Sequence, residues 1–145
     1  MEDSLCICDL LKAAASCSEK QLNDAVFGLK ISQCQASVLL LVKEQGTASM
    51  SSLSRTLCCH KSNITQIVDG LFDQGLISRI PCKEDRRVCR VALTAKGKTL
   101  LKKAEDAMRK SAEKCVGIFT ASECTQLRKL LKRYVTHMQA QADSK

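Results

Sequence analysis

The chain has 145 residues, with 23 Lys and Arg against 15 Asp and Glu and a formal net charge of +8. That length is enough for one fold with its own core, and no apolar run approaches the length needed to span a membrane. Aromatic side chains are confined to Phe27, Phe72, Phe119 and Tyr134, so the core is expected to be aliphatic and the fold mainly α.

The charge is unevenly placed. Residues 1–78 carry six basic against eight acidic side chains, and residues 79–145 carry seventeen against seven. Arg79, Lys83, Arg86, Arg87, Arg90, Lys96, Lys98, Lys102 and Lys103 crowd one span. A basic face is often only a solvated surface, but beside a helix that reads DNA it favours phosphate. The start, MEDSL, has neither a basic n-region nor an apolar h-region, so a cytoplasmic protein is expected. Ten cysteines would not form a disulfide framework in a reducing compartment. There is no CxxC and the histidines are only His60 and His137, so no metal site and no cofactor are expected. Most thiols read as small buried hydrophobes. A thiol enzyme is disfavoured, because no nucleophile motif is present and neither histidine has a placed acid partner.

In chain order, Ser4 to Leu29 reads as a first helix with Leu11, Ala15, Leu22, Val26 and Leu29 on one side. Ser18-x-x-Gln21 inside it has the form of a capping box, which would allow a break near Cys17. A second helix starts at Ser32 or Ser37, carries the apolar run VLLLV and closes at Gly46. Thr47 to Ser49 is a short extended link, a candidate third strand. Met50 to Leu57 forms a short helix and Cys58 to Lys61 a turn. Ser62 to Gly75 forms a second helix of the pair, with Ile64, Ile67, Val68 and Leu71 as its buried stripe and Gly75 as its left-handed terminator. Two β-rich runs then flank a charged tip, with Pro81 tolerated on an edge strand. Thr94 caps a long helix to about Val116, and Thr120-x-x-Glu123 is a capping box for a last helix to about Gln141. Helix, turn, helix and wing together make a DNA-reading head.

Leu57 to Gly97 resembles the MarR family of winged helix-turn-helix transcriptional regulators. The matching stretches are SNITQIVDGLFDQGLISR and DRRVCRVALTAKG, the latter with Asp85, Arg87, Val91, Leu93, Thr94 and Gly97 at the family's wing positions. The resemblance implies an α+β winged helix-turn-helix over residues 1–145. Residues 31–94 would be the head, and 1–30 and 95–145 dimerisation helices. It also implies a homodimer on a pseudo-palindromic operator in double-stranded DNA, most often as a repressor, with no membrane partner. Three positions depart from the family. Cys58 stands where Gly is common, Gly70 where Arg is frequent, and Phe72 where a polar residue is usual. Gly70 removes a phosphate contact, and Phe72 is expected to pack under the wing.

Lys61, Ser62, Asn63, Thr65 and Gln66 are the expected major-groove residues, since Gln and Asn pair with adenine and Thr touches a thymine methyl. For Ser62 and Asn63 the competing reading is a helix cap. Arg86 and Arg87 at the wing tip suit the minor groove; the resemblance favours Arg87 as a brace through Asp85 and Arg86 as the freer reader. Leu127, Leu131, Tyr134 and Met138 follow helical spacing on the last helix and are expected to face a second copy.

LCICDLL (Leu5 to Leu11) resembles the start of the family's peroxide-sensing, OhrR-like branch. That implies Cys8 as a redox-active thiol, with Cys115 or Cys124 of the neighbouring subunit as its disulfide partner. Lys12 stands where that branch has a tyrosine. Three other signals stay open: a phenolic or apolar ligand, a soft metal on Cys6, Cys8 and a third thiol, and a thiol pair Cys82–Cys89, which a symmetric hairpin would set opposite each other.

Overall fold

The computed structural model describes residues 2–81 and 89–143, with side chains over 6–81 and 89–141. Helix α1 (Glu2–Val26) runs unbroken into a 3-10 turn at Phe27–Leu29. The capping sequence at Ser18 therefore starts nothing: a cap acts only where the chain enters a helix, and Ala13–Ala15 and Leu22 on either side favour propagation. Helix α2 (Gln33–Gln45) begins at Ser32, not Ser37, because Ser32 Oγ accepts from Gln35 N and Gln35 reaches back to Ser32 N. Asn23 Oδ1, accepting from Gln33 N at 2.8 Å, fastens the end of α1 to this start.

Thr47 to Ser49 does supply a third strand. β1 (Ala48–Ser49) pairs with β3 (Cys89–Leu93), which pairs with β2 (Ile77–Pro81), giving the antiparallel order β1-β3-β2. Pro81 thus lies on an edge strand, where its missing N–H costs no ladder bond. The register sets Arg79 against Val91 and Pro81 against Cys89. Cys89 is therefore one residue out of line with the symmetric pairing expected with Cys82, which lies outside the described residues.

Helices α3 (Met50–Thr56) and α4 (Lys61–Asp73) form the helix-turn-helix. Gly75, at φ 70°, reverses the chain after α4 while Gly75 N and Leu76 N bond back to Phe72 O and Leu71 O. This is the left-handed ending that glycine permits without a Cβ penalty. Thr94 caps α5 (Ala95–Val116) by accepting from Gly97 N at 3.0 Å. Thr120 and Glu123 form the expected box at the head of α6 (Ala121–Asp143).

The core is aliphatic, as the scarcity of aromatics requires. Leu39, Val42, Leu53, Ile64, Val68, Leu71, Leu76, Ile77, Val91 and Leu101 are all buried. It gathers where α2, α3, α4, the sheet and the first half of α5 meet. Gly97 lets α5 approach Leu76 so closely that no side chain fits between them. In contrast, no residue of α6 is buried among the described residues, although Gln139 near its end donates to Arg55 O of α3. No single helix among the described residues is long and apolar enough to cross a membrane.

Candidate nucleic-acid interface

The recognition helix starts one residue earlier than the sequence indicated, at Lys61, with His60 in extended conformation before it. Ser62 and Asn63 consequently lie inside the first turn and cap nothing, and His60 makes no side-chain cap bond either. The first N–H groups of α4 are left without a side-chain acceptor, at the helix end that favours an anion.

Burial of Ile64, Val68 and Leu71 against the core orients everything else on α4. Lys61, Ser62, Asn63, Thr65 and Gln66 are all exposed. Thr65 Oγ1 donates to Lys61 O at 2.9 Å, so its hydroxyl proton is engaged and its methyl is the group left for a partner. The side chains of Lys61, Ser62, Asn63 and Gln66 have no bond to any described residue. A row of unpaired polar groups at an open helix start is the arrangement that reads base edges and phosphates together.

The turn before α4 carries a local strain. Cys58, where a glycine is common, adopts φ 51°, a left-handed conformation that costs an L residue about 1–2 kcal/mol. Ser54 Oγ donates to Cys59 O at 2.6 Å and holds the turn in place.

Charge counting overstated the expected phosphate-binding face. Arg90 turns inward, its Nε donating to Thr47 Oγ1 at 2.9 Å and its Nη2 to Thr47 O at 3.0 Å. Lys96 Nζ donates to Gln74 O at 2.7 Å, closing the turn after α4. Arg79 pairs with Asp69 and lies over the ring of Phe72, 5.0 Å from its centroid. Phe72 therefore does lie beneath a wing residue, as expected, but only through Arg79, and its ring stays half exposed. Lys98 and Lys102 line a cleft with Val42, Lys43, Ala92 and Leu93, away from α4. Arg86, Arg87 and Asp85 lie outside the described residues.

The Arg79–Asp69–Phe72 contact escaped the sequence reading. Its trace is an Asp and an Arg ten residues apart on either side of Gly75, which comes together only once the chain reverses there.

None of the nine described cysteines is fully buried, contrary to the expectation for most of them. All but Cys89, which opens β3, stand on helices or in the turn before α4, and each keeps part of its surface uncovered. Cys8 is exposed on α1. Cys115 is half-buried and donates to Gln21 Oε1 at 2.7 Å; Gln21 stands 13 residues from Cys8 in the same helix, about 20 Å along its axis. Within one chain the two thiols are therefore far apart. Cys34 is a poor nucleophile, since burial first, then Glu19 and Cys59, push its thiol pKa up. No three His, Cys, Asp or Glu side chains converge to hold a metal among the described residues. Leu127, Leu131, Tyr134 and Met138 all lie exposed on α6, as do Ile7 and Leu10 on α1.

A helix-turn-helix with an unpaired polar stripe facing outward, followed by a hairpin in a three-stranded sheet, defines a winged helix-turn-helix protein. Over residues 31–89 the chain matches the model of the MarR family, a family of winged-helix transcriptional regulators. It is 28% identical over 111 residues to the transcriptional regulator PapX of Escherichia coli, covering 77% of this chain and 68% of that one. It is similar to the crystal structure of the regulator BldR of Sulfolobus solfataricus, with TM-score 0.80, 27% identity and coverage of 91% and 96%. It also shares the fold of a cysteine-to-serine mutant of E. coli MarR complexed with operator DNA, at TM-score 0.84, 22% identity and coverage of 91% and 95%.

Proposed function

We propose that the chain is a homodimeric, sequence-specific repressor that α4 seats in the major groove of a pseudo-palindromic operator and that oxidation of Cys8 releases. The observation that carries DNA reading is the outward row of Ser62, Thr65 and Gln66 beside an uncapped helix start. That a protein of the same fold, a mutant of E. coli MarR, has been solved in complex with operator DNA supports DNA binding.

Surface area supports the dimer. A compact monomer of 15.9 kDa exposes about 7,400 Å², whereas this chain exposes 10626 Å². Exposed apolar side chains on α1 and α6, among them Ile7, Leu10, Leu131 and Tyr134, contribute to that excess, and a second copy covering both faces would make an interface of obligate size. Two such heads would meet half-sites about one helical turn apart.

Cys8 lies on α1 beside the exposed Ile7 and Leu10, in the seam that would space the heads. A hydroperoxide converts its thiolate to a sulfenic acid with release of the alcohol. Attack on that sulfur by Cys115 or Cys124 of the second copy releases water and leaves a disulfide. Either product shifts one recognition helix against the other while the DNA spacing stays fixed.

One experiment tests DNA reading. Selection from random duplexes should return an inverted repeat, and Gln66→Ala should relax preference at one base pair by about 1–3 kcal/mol. Recovery of no preferred sequence refutes it. The signal is tested by adding hydroperoxide to the operator complex. If Cys8→Ser releases DNA at the same dose as the parent, Cys8 is not the sensor. The cleft with an apolar floor at Val42 and Leu93 and with Lys98 and Lys102 at its rim favours a second reading, a phenolic or apolar anionic inducer, which would then take its place.

A further inference from the structure

At about 100° per residue, the outward stripe of α4 runs through Ser62, Gln66, Asp69 and Asp73, with Thr65 and Phe72 on one flank. Its first half is neutral and its second half is acidic. An acid on the face turned to phosphate opposes binding, yet Asp69 is not left alone. Arg79 of β2 donates through Nη2 to Asp69 Oδ1, and the same guanidinium lies over the Phe72 ring with 5.0 Å to the centroid. Asp69 and Phe72 are three residues apart, so they are neighbours on the helix surface. Together they hold both the edge and the face of a planar group, a geometry lysine cannot reproduce.

The location of this contact matters more than its strength. Lys96 Nζ and Thr94 Oγ1 bond Gln74 O and Gly75 O, both at 2.7 Å, and so fix only the turn after α4. Farther along the wing, Arg79 makes the only side-chain bond from β2 or β3 to α4 among the described residues. Its strand is paired to β3 at Arg79–Val91, and Val91 is buried in the core. A change at Arg79 is therefore transmitted to the whole hairpin.

We propose that Arg79 is a positioning residue that, through Asp69 and the ring of Phe72, locks the first wing strand to the exposed face of the recognition helix and so sets the stance of the wing relative to the major groove. The inference rests on the DNA-binding reading above. It reverses the expectation from simple electrostatics: neutralising Asp69 weakens DNA binding, because the wing loses its anchor.

The test uses the full chain, the duplex recovered by selection, and the variants Asp69→Ala, Asp73→Ala, Arg79→Met and Asp69→Ala with Arg79→Met. Alanine is a strong helix former, and Asp73 has no ion pair to a described residue, so Asp73→Ala controls for removal of an acid. Asp69→Ala and Arg79→Met should each weaken binding by about three- to tenfold, and the double variant no further. Hydroxyl-radical protection should fade at the flanks and persist at the centres of the half-sites. Asp73→Ala should bind as well as the parent or better.

Binding by Asp69→Ala equal to or tighter than the parent overturns the proposal. So does additivity in the double variant with a lower salt slope for Arg79→Met, which would make Arg79 a direct phosphate contact. Amide exchange of Arg79 and Ile80 without DNA is an independent readout, expected to quicken in Asp69→Ala and not in Asp73→Ala. If the parent binds no duplex, the DNA-reading proposal fails, while unchanged exchange in Asp69→Ala refutes the positioning role on its own.

Discussion

Replacing Gly97 with alanine tests whether close approach of α5 to the wing root holds the head together. Gly97 is buried, and a Cβ there would lie 3.0 Å from the carbonyl carbon of Leu76 and closer still to its oxygen. The obstacle is backbone, so no side chain can swing aside. Relief requires α5 to retreat from β2 by on the order of 1 Å, which forces side chains and backbone off their packing at about 1–3 kcal/mol. The same retreat stretches Thr94 N to Leu76 O at 3.1 Å and Thr94 Oγ1 to Gly75 O at 2.7 Å, each worth about 1 kcal/mol. Alanine returns at most about 1 kcal/mol in helix propensity. A net loss of about 2–3 kcal/mol should lower the urea midpoint by roughly 1–2 M, measured at one protein concentration because assembly adds to stability. An unchanged or raised midpoint would show that α5 does not depend on this contact.

Three further outcomes are expected. Cys58→Gly relieves the left-handed turn and, after the entropy that glycine gives up, should stabilise the chain by about 0.5–1 kcal/mol; a lower melting temperature would count against strain at that residue. Leu131→Asp with Tyr134→Asp puts two charges on the apolar face of α6 and should split or unfold the proposed dimer, whereas a light-scattering mass of one subunit for the parent would remove the seam altogether. Glu123 accepts from Thr120 N and Oγ1 at 2.8 and 2.9 Å, and these bonds hold its carboxyl below the usual carboxylate range. A depressed folded pKa stabilises above the unfolded value of about 4.3 and is lost as pH falls through the folded one. Amide protection at the start of α6, taken relative to the intrinsic exchange rate at each pH, should therefore fall on acidification through that window, and Glu123→Gln should abolish the dependence; equal acid sensitivity in that variant would exclude Glu123 as its source.

What the amino-acid order settled by itself is local. Thr94 and Thr120 mark helix starts because a cap bond spans three residues, and Gly75 ends α4 because only the left-handed region turns the chain there. The stripe Ile64, Val68 and Leu71 shows which side of α4 is buried, and so which side is free to read DNA. The tertiary structure decided what depends on distant partners. A basic residue in the sequence has no direction: Arg79, Arg90 and Lys96 were counted toward the phosphate face, yet each meets a group ten or more residues away that could not be paired with it beforehand. The capping motif at Ser18 was equally ambiguous, because its effect depends on whether the chain bends there, and α1 runs straight through. Cys89 opposite Pro81 follows from where the strands align across the sheet, and a register shift of one residue changes every cross-strand neighbour. Period and caps act over a few residues, whereas side-chain direction and register are set by contacts that exist only after the chain has folded.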